Sequence, residues 1–486
     1  MMNYPSILFS QMNTKSTTPL MQDVIEDLKL DKLIGDKASR CMRYVCGKTD
    51  ILARQAAFKE LEDRKKAKAA ACIYEYISDV CKKNSLYCSS SCVDERNALF
   101  VSLFYSYCKF VKEAASSGFE SPLLSRFSKY FSVLSSEKEF IDADAAVQKA
   151  YALLGEISGV SFNILNESLT LTDGHKKSYA EKLYECADEL ELDVTKRYGN
   201  FSYALTPKII EGIKKLYPSQ FSAFAEFYSR FSGMYNESIT KYDDELAFYI
   251  SVLGIVEKAK ALSVLFTYPS VSDKKEYICR NAYDLSLILK NEKSIVPNDI
   301  SLTADEPFFF LTGANGGGKT TYLRAVGLNL CMFLSGCPIS AEAAQIYPFS
   351  GVFTHFPHDE RFEDTGRFLD EQIRLDKIFS IADNDGVILL NETFSTTTEE
   401  IALRSTQALA EKLQSEGKFG IYITHQHALA TNIPSLSVII DESDSNRRTY
   451  KVSRSKGKKS SFAGDILRKY ALTREQLGER FGVCLK

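Results

Sequence analysis

The chain has 486 residues and an almost balanced charge, because 60 Lys and Arg stand against 63 Asp and Glu. Hydrophobic residues make up 45% and charged residues 25% of it, which excludes a disordered or fibrous protein and fits two to four globular domains. A chain this neutral is not a polycation, so any contact with nucleic acid must come from a local basic patch.

The sequence shows no feature of membrane or secreted proteins. No stretch approaches the roughly 18 uninterrupted apolar residues that a membrane helix needs, and Met1–Lys15 has neither a charged nor an apolar leader region. The twelve cysteines contain no CxxC pair, and the closest two, Cys88 and Cys92, have no neighbouring His. We therefore expect a cytoplasmic chain with reduced thiols, without structural zinc and without membrane contact.

From residue 20 to about 265, apolar residues recur mostly at helical spacing, with charged residues on the opposite face. This pattern predicts helices in the following segments: 23–34, Ile51–Val80, Ala145–Leu154, Lys177–Leu192, Pro207–Met234 and Asp243–Leu265. The exception is Val160–Thr172, which alternates around an Asn-Glu turn and predicts a β-hairpin.

After Tyr268 the pattern changes to short apolar runs separated by helices, which is typical of a parallel sheet in an α/β fold. The predicted strands are Phe308–Thr312, Gly386–Leu390, Phe419–Thr424, Leu436–Asp441 and Thr449–Arg454, and a helical tail is predicted over 462–480. We therefore predict a multidomain α plus α/β protein. Its parts are an N-terminal segment over 1–20, a mostly helical region over 21–268 and an α/β domain over 269–486.

A glycine-rich motif lies between the predicted strand Phe308–Thr312 and the predicted helix Thr321–Phe333, and it fits GxxxxGK[ST]. In such a P-loop, backbone N–H groups and a helix N-terminus surround phosphates, the Lys reaches the β- and γ-phosphates, and the hydroxyl binds Mg²⁺. We expect ATP and Mg²⁺ to be held by Gly313, Ala314, Asn315, Gly316, Gly317, Gly318, Lys319, Thr320 and Thr321.

The predicted strand Gly386–Leu390 is followed by Asn391 and Glu392. This resembles a Walker B element, which is an apolar strand that ends in an acidic residue. Glu392 is placed to orient or deprotonate the attacking water. The amide of Asn391, where Asp is expected, can still accept a hydrogen bond from a Mg²⁺-bound water. Because it carries no charge, we expect weaker Mg²⁺ binding or slower hydrolysis.

His425 follows another predicted strand, on the side of the sheet where α/β proteins bind ligands. We predict that His425 forms a hydrogen bond with the γ-phosphate and reports its loss.

Three runs resemble the ATPase domain of the MutS (DNA mismatch repair) family, a branch of the ABC-type ATPases: LTGANGGGKTTYLRAVGLNL, VILLNETFSTTTEE and YITHQHAL. The segment around Asn298 resembles the adenine-side segment of that family. Residues 26–34, 52–61 and 241–249 are similar, more loosely, to its helical core and lever. The resemblance thus covers most of the chain and is specific from 295 to 430.

The resemblance implies a homodimer in which one subunit completes the ATP site of the other. Gly366 and Arg367 occupy the place of the signature loop, where the family usually has Ser-Thr, and 395–398 occupies the place of the D-loop. Arg367 then either stabilises the γ-phosphate of the other subunit or pairs with Glu363 or Asp364.

The family's mismatch-reading domain, with its wedging Phe-x-Glu, precedes the helical core, whereas the core-like sequence of this chain begins by about residue 20. Phe58-Lys59-Glu60 matches only as letters, since it lies in a predicted core helix. We therefore expect a stand-alone MutS-like form that lacks the mismatch-reading domain.

One run near the C-terminus contains seven basic residues and no acidic one. Basic residues of this kind can contact phosphates and make binding salt-sensitive, but a solvated hairpin at the edge of the sheet is the simpler explanation of the run. The candidate DNA contacts are Arg447, Arg448, Lys451, Lys456, Lys458 and Lys459.

The sequence thus favours an ATP-dependent DNA-binding protein that acts on duplex or branched DNA in mismatch repair or recombination. Two alternatives stay open. The first is a nucleotide-locked binding module with little hydrolysis, and the second is an ATP-driven remodeller of ribosomes or RNA.

Overall fold

The computed structural model describes residues 4–10, 21–44, 46–157, 160–165, 168–173, 207–290, 295–357, 367–394, 399–424, 434–440 and 448–454. The chain divides into two compact units: the first comprises Met1–Ile7 and Asp63–Ala247, and the second comprises Leu8–Glu62 and Phe248–Lys486. These units follow tertiary contacts and cross the linear division predicted at residue 268. No helix in the described ranges is both long and apolar enough to cross a membrane.

The N-terminal half is helical over most of its described length, as the spacing of apolar residues predicts. Its helices are α1 (Met21–Leu28), α2 (Leu30–Ile34), α3 (Asp36–Cys41), α4 (Lys48–Leu61), α5 (Arg64–Ser89), α6 (Val93–Ser116), α7 (Pro122–Ser136), α8 (Lys138–Glu156), α9 (Pro207–Leu216), α10 (Pro218–Phe231) and α11 (Lys241–Lys260). Short 3-10 helices cover Ser232–Met234 and Glu237–Thr240. The helix predicted over Lys177–Leu192 lies outside the described residues.

The structure divides the helical run predicted over Ile51–Val80 into α4 and α5. The division falls at Asp63, whose Oδ1 accepts hydrogen bonds from the backbone amides of Lys65 at 2.9 Å and Lys66 at 3.1 Å. This is an N-cap, which satisfies amides that have no partner within the helix and starts a new helix there. Apolar spacing alone did not distinguish one long helix from two.

The predicted hairpin is confirmed: β1 (Val160–Leu165) pairs antiparallel with β2 (Ser168–Asp173). The core of the first unit is rich in aromatic side chains, and Tyr4, Tyr107 and Tyr242 are at most 1% exposed. The N-terminal segment is fixed in this core, because the backbone amide of Ile7 donates to Glu245 Oε2 at 2.8 Å.

The second unit contains a six-stranded sheet whose strands are β6 (Phe308–Thr312), β8 (Gly351–His355), β9 (Gly386–Asn391), β10 (Phe419–Ile423), β11 (Ser435–Ile440) and β12 (Arg448–Arg454). Their order is β12-β11-β6-β10-β9-β8, and every neighbouring pair is parallel except β11 and β12. The strands predicted from 308 onwards are confirmed to within one residue at their ends. β8 was not predicted. The helical tail predicted over 462–480 lies outside the described residues.

The second unit also contains a four-stranded sheet that was not predicted from the sequence. It consists of β3 (Ser270–Val271), β4 (Glu276–Ala282), β5 (Asn298–Thr303) and β7 (Ala343–Ile346), in the order β3-β7-β4-β5. β3 and β7 have only two and four residues, and β4 and β5 mix polar with apolar residues, so all four lack the continuous apolar runs that indicated the parallel sheet. The remaining elements of this unit are a 3-10 helix over Leu285–Lys290 and three helices, α12 (Lys319–Leu334), α13 (Arg367–Ile381) and α14 (Glu399–Ser415).

Helix α1 packs directly against α12 and the parallel sheet. A Cβ atom added to Gly327 of α12 would lie 2.8 Å from Leu28 Cδ2, so this contact requires glycine. Buried Asp27 accepts hydrogen bonds from Thr354 Oγ1 at 2.6 Å and from Arg374 Nη2 at 2.5 Å. Helix α1 is therefore joined to both β8 and α13.

Candidate functional site

The glycine-rich segment forms a tight loop between β6 and α12. Gly313, Gly316 and Gly318 have φ values of 131°, 70° and 97°, a region that side chains with a Cβ rarely occupy. The loop also lies close to the β11–β12 hairpin, since a Cβ at Gly318 would be 3.2 Å from Tyr450 Cδ1. Both conformation and space thus require glycine, and the sequence prediction of a strand, loop and helix is confirmed.

Lys319 folds back into this loop and is only 5% exposed. Its Nζ donates to Gly313 O at 2.9 Å, to Ala314 O at 3.3 Å and to Asn315 Oδ1 at 3.2 Å. Burial lowers the pKa of Lys319, and the negative charge of Glu392 opposes that shift. The loop therefore holds a desolvated ammonium group within the electrostatic reach of Glu392, an arrangement that favours an anion.

Thr320 and Asn391 line one cleft of about 810 Å³ within the second unit. Asn391 ends β9 and is 7% exposed, and its Oδ1 has no hydrogen-bond partner in the described part of the chain. A buried acceptor of this kind costs free energy unless a ligand or water satisfies it. Hydroxyl and amide oxygens are ligands that suit Mg²⁺ and its bound waters, so these two residues fit the predicted metal site.

Residues from the segment 22–43, which contains α1–α3, also line this cleft. They include Arg40 of α3 and Arg43 just after it, and Arg324 from the second turn of α12 lines the cleft as well. Sequence analysis assigned none of these residues to the site, because nothing in the motif indicates that residues 8–62 fold against it.

The backbone after Asn391 is strained. Glu392 and Phe394 have φ values of 50° and 66°, and neither is glycine. The Glu392 amide donates to Ile423 O at 3.0 Å, and the Phe394 amide donates to Glu371 Oε2 at 3.0 Å. Several contacts thus hold a conformation that costs of order 1 kcal/mol per residue.

Thr393 lies between these two strained residues, and both its carbonyl and its hydroxyl are in contact with neighbouring strands. Tyr422 OH donates to its carbonyl at 3.2 Å, and its own Oγ1 lies 3.4 Å from His355 Nδ1. Burial raises the pKa of Tyr422 to about 12, so its hydroxyl stays protonated and able to donate. The sequence pattern gave no indication of His355, because this residue ends β8, a strand that was not predicted.

A smaller cavity of about 330 Å³ lies on the other side of the loop, beside Gly318 and Thr321. Asn298 borders it and links two sheets: its Nδ2 donates to Tyr450 O at 3.0 Å, and its Oδ1 accepts from the Val452 amide at 2.8 Å. This volume is at the lower end of the range for small-molecule sites. Its position next to the phosphate loop fits the adenine side that the sequence assigned to Asn298.

The basic run lies only partly within the described residues. Lys451 Nζ donates to Pro297 O at 2.5 Å, and Arg454 forms an ion pair with Glu306. The positive charge of Arg448 contributes to lowering the pKa of Lys319. Lys451 and Arg454 therefore serve contacts within the second unit.

Some predicted site residues cannot be placed. His425, Gly366, Arg447, Lys456, Lys458 and Lys459 lie outside the described residues, as does the segment 395–398. Arg367 begins α13, and its side chain is not described.

The parallel sheet and the glycine-rich loop with its buried lysine define an α/β domain in which this loop follows the carboxyl end of β6. Residues 309–464 match the family model of MutS domain V, the ATPase domain of that family. This match and the similarity to the proteins below support a MutS-family member.

The relatives are DNA mismatch repair and MutS2 proteins. The chain is 28% identical over 230 residues to the DNA mismatch repair protein MutS of Natronomonas pharaonis, covering 46% of this chain and 27% of that protein. It is 31% identical over 165 residues to the endonuclease MutS2 of Solidesulfovibrio magneticus, covering 34% of this chain and 21% of that protein. The matched part is thus about a quarter of the length of these relatives.

Proposed function

We propose that the chain is a MutS-like ATPase that binds DNA and changes conformation with its nucleotide state. The observation that carries this proposal is the pairing of the buried Lys319 in its glycine loop with the unsatisfied Asn391 oxygen beside Thr320. One group suits phosphate and the other suits hydrated Mg²⁺. Both lie at the carboxyl ends of parallel strands, where α/β proteins bind ligands.

In this proposal Lys319 and the loop amides hold the β- and γ-phosphates, while Thr320 and, through water, Asn391 hold Mg²⁺. When bound, the metal ion would neutralise the charge that develops on the phosphates. Glu392 orients the attacking water, and His425 forms a hydrogen bond with the γ-phosphate. Asn298 lies on the adenine side.

We further propose a homodimer in which Gly366 and Arg367 of one subunit complete the site of the other. Helix α13 exposes two apolar side chains shortly after this segment in sequence, since Leu369 is 50% exposed and Ile373 56%, and α14 exposes Ile401, which is 46% exposed. Leu369 and Ile373 are four residues apart and share a face of α13. Exposed apolar residues of this kind fit a contact with a second copy of the chain.

The names of the relatives include DNA mismatch repair and endonuclease MutS2, which supports duplex or branched DNA as the partner. The basic residues near the C-terminus are the candidate contacts. If they bind phosphates, affinity falls steeply with salt, because each contact releases counterions.

Asn391 favours a second candidate, a module in which bound nucleotide locks the dimer and hydrolysis is slow. The neutral amide gives less stabilisation to a dication than a carboxylate would. ATP turnover of the wild-type chain and of Asn391→Asp separates the two candidates, since only a locked module gains turnover many-fold with the added charge.

The test of DNA binding is a salt titration of the purified chain with fluorescent duplex, mismatched duplex and four-way-junction DNA, with and without ATP and Mg²⁺. We expect binding that ATP modulates and that Lys319→Ala uncouples from ATP. Absence of binding to all three DNAs at physiological salt would contradict the DNA role and turn the search to RNA or ribosomes.

A further inference from the structure

The buried carboxylate of Glu371 is a feature of the site that sequence analysis did not assign. Glu371 lies in the first half of α13, directly after the segment proposed to act in the partner's ATP site, and is 8% exposed. Its Oε2 accepts a hydrogen bond from the backbone amide of Phe394 at 3.0 Å. A carboxylate is costly to bury, so its retention at this point needs a reason.

The amide that Glu371 holds belongs to the strained turn after β9. Glu392 and Phe394 both have positive φ, and Glu392 is the residue proposed to orient water. Such strain persists only where surrounding contacts over-determine the conformation. A charge-assisted hydrogen bond to a backbone amide is among the stronger contacts available for this purpose.

Three hydrogen bonds from two elements, β10 and α13, hold this turn. Tyr422 of β10 donates to the Thr393 carbonyl, Ile423 of β10 accepts from the Glu392 amide, and Glu371 of α13 accepts from the Phe394 amide. Two of these contacts come from β10, which is paired on both sides within the sheet. Glu371 alone among the three belongs to a helix that starts at the segment proposed to contact the partner subunit.

We infer that Glu371 is a positioning residue: its carboxylate fixes the 392–394 turn and thereby couples the start of α13 to the placement of Glu392. The effect on hydrolysis rests on the proposed ATPase function. The fixing of the 392–394 turn by Glu371 does not. A shift of α13 when the signature segment engages a nucleotide would pull on the Phe394 amide. Hydrolysis would then depend on dimer contact without any change in the groups that bind phosphate.

The test compares Glu371→Ala, Glu371→Gln and a control, Asp376→Ala, which removes an exposed carboxylate of the same helix. Gln keeps an oxygen that can accept from the Phe394 amide, whereas Ala does not. We expect Glu371→Ala to lower kcat by about 10- to 100-fold, since small misplacements of a reacting group cost this much. Glu371→Gln and Asp376→Ala are expected to stay within about threefold of wild type.

The affinity for a fluorescent ADP derivative should stay within about twofold in all variants, because Lys319 is held by atoms of its own loop whereas Glu371 holds the Phe394 amide. A general loss of fold would lower both kcat and nucleotide affinity, so a loss of kcat alone distinguishes the positioning role from misfolding. Equal kcat in wild type and Glu371→Ala, or a parallel loss of nucleotide affinity, would overturn the inference.

A second measurement does not depend on hydrolysis. Hydrogen exchange of the peptide that contains Phe394 should be faster in Glu371→Ala than in wild type and Glu371→Gln. If no variant hydrolyses ATP but exchange follows this order, the proposed ATPase function fails while the positioning role stands. If exchange is the same in all variants, the positioning role is wrong whatever the ATPase result.

Discussion

Two loops at the carboxyl edge of the parallel sheet reach unusual backbone conformations by opposite means. The loop before α12 uses glycines, with positive φ at Gly313, Gly316 and Gly318. The turn after β9 uses Glu392 and Phe394, which carry side chains and are held by hydrogen bonds from α13 and β10. The first loop is shaped by its own sequence, and the second is shaped by its neighbours.

This difference explains why one loop was predictable and the other was not. A run of glycines before Lys-Thr specifies a phosphate loop wherever a strand precedes and a helix follows it. The local sequence around Glu392 does not predict a left-handed backbone conformation. The contacts that stabilise this conformation come from Glu371 and Tyr422, which are distant in sequence. The predictions below test each half of this contrast, beginning with the largest expected effect.

Lys319→Ala should weaken nucleotide binding by about 100-fold, since truncating one side of a buried charged contact costs several kcal/mol. The matched control is Lys418→Ala. Lys418 is also 5% exposed and its Nζ also donates to two backbone carbonyls, those of Ala382 and Asp383, each at 3.0 Å. Isothermal titration with ADP and ATP measures both. An equal loss of nucleotide affinity in the two variants would show that the loss comes from removing a buried lysine and not from the place of Lys319 in the loop.

Gly318→Ala should weaken nucleotide binding by about tenfold, because a left-handed φ costs 1–2 kcal/mol for a residue with a Cβ. The new methyl group would also be 3.2 Å from Tyr450 Cδ1. Gly417→Ala is the control, since Gly417 has a φ of 60° but nothing within 4 Å of an added Cβ. Both variants lose stability, measured by chemical unfolding. Only Gly318→Ala should lose affinity, and a loss in both would remove the loop-specific argument.

The parallel sheet and the glycine-rich loop were predictable because buried strands leave continuous apolar runs and because the backbone of the loop requires glycine. The four-stranded sheet and the contact of α1 with α12 were not, since β3 has two residues and Leu28 looks like any helical core residue. The same holds for His355 and Glu371. Their place in the site depends on which strands and helices become neighbours, which spacing along one chain does not specify.

Asn391→Asp should lower the Mg²⁺ concentration needed for half-maximal turnover by about tenfold, because a full negative charge replaces a neutral oxygen near the dication. The measurement is ATPase activity across a Mg²⁺ titration at fixed ATP. If the midpoint does not move, Asn391 does not face the metal, and its unsatisfied Oδ1 has another cause.

Glu392→Gly and Glu392→Ala both remove the proposed water-orienting carboxylate, so neither should hydrolyse ATP, yet they differ in backbone freedom. Because residue 392 has a φ of 50°, the Gly variant should be more stable to chemical unfolding than the Ala variant by about 1 kcal/mol. The control pair is Glu411→Gly and Glu411→Ala in the middle of α14, where glycine should be the less stable by about 1 kcal/mol. The opposite signs at the two positions would establish that the turn after β9 stores strain. The same sign at both would mean that its neighbours impose no backbone cost, and that the two loops differ less than their φ values indicate.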